Sequence, residues 1–184
     1  MAVKVLVALP VVHDLQHAQI ERLRAAGIEV TFNDLGRLYT EDELIAALSG
    51  VSATIAGTEP YTDRVFAAAP KLKAVARSGV GYDAIDVDAA TRHQVAVAMG
   101  FGTNHDAVAD FAFSLIAALA SKLIPYHAMV AEGRWRRSAH MPLWRATVGI
   151  LGLGRIGQAM ARRCRGFNMR VLAYEVEPDP AIVR

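Results

Sequence analysis

Apolar positions follow two rhythms along the first hundred residues. Short continuous runs, KVLVAL (4–9), EVTFN (29–33), ATIAG (53–57), KAVAR (73–77) and VAVAM (95–99), alternate with helix-like segments at about 15–26, 41–48, 63–69 and 86–93. A strand that is apolar throughout is buried on both faces, which marks a parallel sheet flanked by helices. Local signals agree with this reading. Gly27 stands just past the first helix, where a left-handed residue closes it. Thr40 and Glu43 form a T-x-x-E capping box, and Asp86 is placed to cap the fourth helix. Residues 1–100 therefore read as a small doubly wound α/β domain.

The rhythm then changes. Val108, Phe111, Ala112, Leu115, Ile116 and Leu119 recur at helical spacing, so 106–123 reads as one long helix, ended by Pro125. Its apolar residues occupy much of its circumference. A second helix is expected near 127–133, followed by the basic stretch GRWRRSAHMPLW. A strand (147–152), a helix (about 155–166) and a second strand (170–175) complete the pattern before a Pro- and acid-rich tail. Residues 101–184 thus hold a single βαβ unit.

Composition narrows the class. With 53% hydrophobic and 21% charged residues the chain can bury a sizeable core. Twenty basic against eighteen acidic residues give a net charge of +2, which argues against nucleic acid or an anionic membrane as partner. Arg134, Arg136, Arg137 and Arg145 lie near Trp135 and Trp144, but a stacking platform needs more aromatics, so a solvated loop is expected. One cysteine, Cys164, excludes an internal disulfide and is compatible with the cytoplasm; it is expected to be a small, semi-buried helix residue. The N-terminal run reads as a strand and not a signal peptide. The longest apolar stretch is broken by Asp110 and Lys122 and is short of a membrane span.

The chemistry concentrates in VGILGLGRIG (148–157). Gly152, Gly154 and Gly157 make G-x-G-x-x-G between an expected strand and an expected helix, and the next strand ends at Glu175. Each position has a physical reason. Gly152 permits the tight turn, Gly154 lets backbone approach a pyrophosphate, and Gly157 lets the helix pack on the sheet. The N–H groups of Arg155 and Ile156 at the helix start favour an anion. Glu175 would accept hydrogen bonds from ribose hydroxyls and repel a 2′-phosphate, which favours NAD over NADP.

Together with ARSGVGYDAIDVDAATRHQVAVA and GTNHDAVADFAFSLIAALA, this stretch resembles the D-isomer-specific 2-hydroxyacid dehydrogenases along essentially the whole chain. The resemblance implies a flavodoxin-like, parallel-sheet substrate domain (1–100) followed by the first part of a Rossmann NAD-binding domain (101–184). It implies that Ser78, Gly79, Val80 and Gly81 bind a substrate carboxylate through backbone N–H groups, an anion nest that bare glycine backbone suits. It places Asn104 near substrate and nicotinamide, and gives Asp83 a structural role. Its implied substrate is a small 2-hydroxy or 2-oxo acid. Its implied assembly is a homodimer through helix 106–123.

The departures are specific. Met99-Gly100-Phe101 replaces the usual N-x-P, Asp110 replaces a Glu, and Arg145 replaces a Gly. Thr58-Glu59-Pro60 stands where some phosphoglycerate-specific members of the family carry basic residues, and an acid there would repel a substrate phosphate. The family's hydride-transfer Arg, acid and His lie downstream of the position matching Arg184, so no catalytic residue is assigned and the 184-residue chain alone is expected to be inactive. A non-catalytic NAD-binding or interaction module and half of a split enzyme are the competing readings. Among the histidines, His13-Asp14 reads as a helix-entry cap. His105 with Asp106 and Asp110 reads as the first turn of the long helix, not a metal site. His17, His93, His127 and His140 read as surface or loop residues.

Overall fold

The computed structural model describes residues 3–10 and 18–182. It divides into two compact units, Met1–Thr103 and Asn104–Arg184.

In the first unit the apolar runs form five parallel strands: β1 (Lys4–Val7), β2 (Glu29–Phe32), β3 (Ala53–Ala56), β4 (Ala74–Arg77) and β5 (Ala96–Met99). They alternate with α1 (Ala18–Ala25), α2 (Glu41–Ala47), α3 (Asp63–Ala68) and α4 (Val87–Arg92). The sheet order β2-β1-β3-β4-β5 is the flavodoxin-like one, as the resemblance implied. Winding reverses between β1 and β3, and the carboxyl ends of such strands are where open α/β sheets bind ligands. The strands bury Leu6, Ala56 and Val75 in one core with Leu44 and Phe66 from the helices and Leu48 just past α2. Each large apolar side chain so buried contributes about 1.5–3 kcal/mol. His13, Asp14, His17 and the first residues expected in α1 lie outside the described residues.

Caps fix where these helices begin. Thr40 and Glu43 form the expected box: the Glu43 N–H donates to Thr40 Oγ1 at 3.4 Å, and the Thr40 N–H donates to Glu43 Oε2 at 2.9 Å. Arg37 grips the same carboxylate through two N–H groups at 2.8 and 2.6 Å. That guanidinium, and then the Thr40 donors, pull the Glu43 carboxyl down to about 2. Asp86 caps α4 as expected, and Thr62 caps α3. Gly27 ends α1 at φ +76.

The second unit comprises α5 (His105–Ala120), α6 (Leu123–Ala131), β6 (Thr147–Leu151), α7 (Arg155–Gly166) and β7 (Arg170–Tyr174). Strands β6 and β7 pair in parallel, and Ala159, Met160 and Cys164 of α7 close a small core over Ile150. Ala109 of α5 joins that core. Arg163 ties α7 to α5, donating to Asp110 at 2.6 Å and to Asp106 at 3.2 Å. Cys164 is fully buried, deeper than expected, and desolvation pushes its thiol up.

The break between α5 and α6 differs from the sequence expectation. The long helix ends at Ala120, not at Pro125. Lys122 adopts a left-handed conformation (φ 53), and α6 starts at Leu123, leaving α5 at 62°. Pro125 lies in the first turn of α6, where its missing N–H has no partner to lose. The second helix therefore begins four residues earlier than the expected start near 127 and also ends earlier, at Ala131. Among the described residues no single helix is long and apolar enough to cross a membrane.

Candidate functional site

The β6–α7 turn separates the work of its three glycines. Gly152 has φ +92, which an L side chain rarely adopts, and its N–H donates to the Tyr174 carbonyl at 2.8 Å. Gly154 caps α7 with ordinary dihedrals, and a Cβ added there would meet nothing within 4 Å. Gly157 is the opposite case: an added Cβ would overlap the Gly152 carbonyl oxygen and crowd Ile150. The turn is therefore closed from below by helix packing and open above Gly154. No side chain caps the start of α7, so its positive end faces outward across the bare backbone of Gly154.

Glu175 follows β7 directly, but its carboxylate is not simply an open acceptor. Its Oε2 accepts the Leu153 N–H at 2.6 Å, and its Oε1 accepts the Val176 N–H at 2.9 Å. These backbone donors, Leu153 first, hold its carboxyl below the usual range. On the other side of the same residue, Gln158 Nε2 donates to the Leu153 carbonyl at 2.9 Å. Leu153, Gln158, Tyr174, Glu175 and Pro178 border a groove of about 560 Å³, which Arg162 and Arg165 also line. Sequence reasoning placed Glu175 at the turn but missed Gln158, whose only signal is its position one residue after Gly157.

The 78–81 loop leaves the carboxyl end of β4 in the first unit. The Ser78 N–H donates to Ala56 O at 2.9 Å, and Gly79 O accepts the Gly100 N–H at 3.0 Å. Gly79 sits at φ +145, and the Arg77 guanidinium lies against it while donating to the Ser78 carbonyl. Ser78, Gly79, Val80 and Gly81 are all at least partly exposed. Arg77 is a second residue that the motif reading passed over. It is a cation beside a loop expected to bind an anion, and its signal is a basic residue immediately before Ser-Gly-Val-Gly.

Asn104 is the N-cap of α5 in the second unit, yet its side chain makes no capping bond. Its Oδ1 is buried without a hydrogen-bond partner, as is His105 Nδ1. Such orphaned polar atoms are rare and costly in a finished interior, and each calls for a partner. His105 Nε2 lies 3.3 Å from Asp106, while Asp110 is engaged by Arg163. Among the described residues no group of three His, Cys, Asp or Glu side chains is arranged to hold a metal ion.

Glu59 calls for a correction. From the sequence, its acid is expected to repel a substrate phosphate. It is 1% exposed, and its Oε1 accepts the Gly57 N–H at 2.8 Å. Its carboxyl group is turned into the base of the β3 loop, and nearby the buried Tyr61 pairs with Thr54 at 3.0 Å. It therefore gives no ground for or against a phosphorylated substrate by surface repulsion.

A family model described as D-isomer specific 2-hydroxyacid dehydrogenase, catalytic domain, matches residues 9–176. Among curated relatives, a glyoxylate reductase of Korarchaeum cryptofilum is 43% identical over 124 residues, 64% of this chain and 37% of its own length. A D-3-phosphoglycerate dehydrogenase of Archaeoglobus fulgidus is 35% identical over 94% of this chain and 32% of its own. Among solved structures, a protein from Thermus thermophilus superposes with TM-score 0.85 at 30% identity, covering 96% of this chain and 57% of that one. An NAD-dependent formate dehydrogenase of Staphylococcus aureus, in complex with NAD, gives TM-score 0.77 at 26% identity over 96% of this chain and 56% of that one. The chain thus spans about a third of the length of these two curated relatives and a little over half of these solved chains. With the family match running through both units, this chain belongs to the D-isomer-specific 2-hydroxyacid dehydrogenase family.

Proposed function

We propose that this protein serves NAD-dependent oxidoreduction of a small 2-hydroxy or 2-oxo acid, and that its two units carry different parts of the task. The observation that carries the reading is the β6–α7 turn: a positive-φ Gly152, an uncovered Gly154, a Gly157 packed onto Gly152, and an acid at the end of β7. That arrangement suits a dinucleotide pyrophosphate at Gly154, Arg155 and Ile156, with the adenosine ribose toward Glu175. NAD supplies hydride acceptance and donation when bound. In the first unit the 78–81 loop, with Arg77 beside it, would hold the substrate carboxylate; in the second unit, taken by itself, the orphaned Oδ1 of Asn104 would accept a hydrogen bond from a bound ligand. The exposed Phe111, Leu115 and Leu119 of α5 support pairing with a second copy of the chain.

In the family resemblance, the arginine, acid and histidine that move the hydride and proton lie beyond the segment matched by these residues. The reading assigns NADH binding to these residues and turnover to those that the resemblance places beyond them. Calorimetric titration with NADH, followed by incubation with NADH and glyoxylate, tests both halves. Saturable one-to-one binding with no loss of NADH absorbance supports the reading. Absence of binding would overturn the cofactor assignment, and turnover would overturn the division of labour.

A further inference from the structure

Resting on the cofactor reading above, we infer that Glu175 and Gln158 form a clamp on the backbone of Leu153, so that Glu175 is a positioning residue for the phosphate turn as well as a ribose contact. The argument starts from the backbone. Leu153 lies between Gly152, at φ +92, and Gly154, the cap of α7. Two glycines around one residue leave that stretch freer than any other part of the turn, and ordering it costs more conformational entropy. Its N–H belongs to neither the β6–β7 ladder nor the α7 hydrogen-bond series. Glu175 Oε2 takes that N–H at 2.6 Å, and Gln158 donates to the carbonyl of the same residue at 2.9 Å. Both polar groups of Leu153 are thereby held by side chains from opposite sides, one after β7 and one on α7.

The carboxylate is itself fixed. Its other oxygen accepts the Val176 N–H at 2.9 Å, so Glu175 bridges the residue after β7 to the turn after β6. A carboxylate offers about four acceptor sites, so the bonds from Leu153, Val176 and Glu177 leave acceptor capacity for a ribose hydroxyl. The clamp and the ribose contact are compatible in one side chain. The clamp adds a distinct consequence: the geometry of the phosphate-binding backbone depends on an acid that never touches phosphate.

Inorganic pyrophosphate separates the two roles, because it has no ribose. If Glu175 serves ribose alone, Glu175→Ala removes a negative charge near the turn and pyrophosphate binds as well or better. If Glu175 holds the turn, the same variant binds pyrophosphate about tenfold more weakly, the size of one charge-assisted hydrogen bond. Affinity equal to or above wild type overturns the inference. A second readout is independent of any ligand. In the wild-type 184-residue chain the Leu153 amide proton is expected far downfield and slow to exchange. Glu175→Ala moves it upfield and speeds exchange, and Glu175→Gln, which keeps one acceptor, restores part of the protection. A Leu153 amide that is unprotected in wild type, or unchanged in Glu175→Ala, overturns the clamp. If wild type binds neither NADH nor pyrophosphate, the cofactor reading fails, and the amide measurement still decides whether Glu175 holds the turn.

Discussion

A methyl group at Gly157 would overlap the carbonyl oxygen of Gly152, five residues back and on the other side of the turn. The two glycines are thus one device: the first bends the chain at φ +92, and the second lets α7 settle onto the bend. Gly157→Ala is expected to destabilise the second unit by about 1–3 kcal/mol, the usual range for overpacking where backbone must shift. Urea unfolding followed by a probe in that unit measures it. An unchanged midpoint would mean that the helix start has room the geometry denies.

The break between α5 and α6 yields a gain-of-stability prediction. Lys122 holds φ 53, a conformation that disfavours L side chains, and its ammonium makes an exposed 3.3 Å contact with Ser138. Lys122→Gly should stabilise the chain by about 0.5–1 kcal/mol, relief of left-handed strain being partly offset by glycine's unfolded-state entropy. A lower thermal midpoint would show that the Lys122 side chain contributes more than its backbone costs.

Acid should act partly through Glu43. Arg37 and the Thr40 cap lower its carboxyl from 4.5 to about 2. A folded-state value below the unfolded one means that the contribution is complete above about pH 4.5 and is lost as pH falls toward 2. Urea midpoints measured across that window should fall with acid in wild type, and fall less steeply in Glu43→Gln. Equal slopes would show that the pair with Arg37 is not maintained in solution.

How far the sequence reached depended on how local each cause was. Thr40 and Glu43 announce a helix start because the cap is made within four residues, and Gly152 and Gly157 announce a turn because backbone geometry admits little else. The parallel sheet followed from apolar runs that each needed helices on both faces, and its strand order from the family resemblance. Pro125 misled because proline is tolerated in the first turn of a helix as readily as beyond the last, and the left-handed break at Lys122 carries no glycine to mark it. Glu59 misled although its bond from the Gly57 N–H spans only two residues, because nothing in Thr-Glu-Pro shows that the side chain is buried. Glu175 was legible as a position, but its bond to Leu153 spans 22 residues and depends on how β6 and β7 align. Arg77 and Gln158 sit next to motif residues and belong to no motif, so only packing reveals them.

The most direct test of the cofactor assignment uses Gly154, because the fold does not need it to be bare. Its dihedrals are ordinary and an added Cβ meets nothing within 4 Å. Gly154→Ala should keep stability within about 1 kcal/mol of wild type, the scale of exchanging a glycine helix cap. A methyl group there would still stand where the pyrophosphate must approach. NADH titration of wild type and Gly154→Ala, with thermal midpoints measured alongside, is the deciding experiment. The account predicts matched midpoints and an NADH affinity at least about tenfold weaker in the variant, a difference of ~1.4 kcal/mol. Matched midpoints with equal NADH affinity would contradict it, and the turn would then be a packing device that holds no dinucleotide.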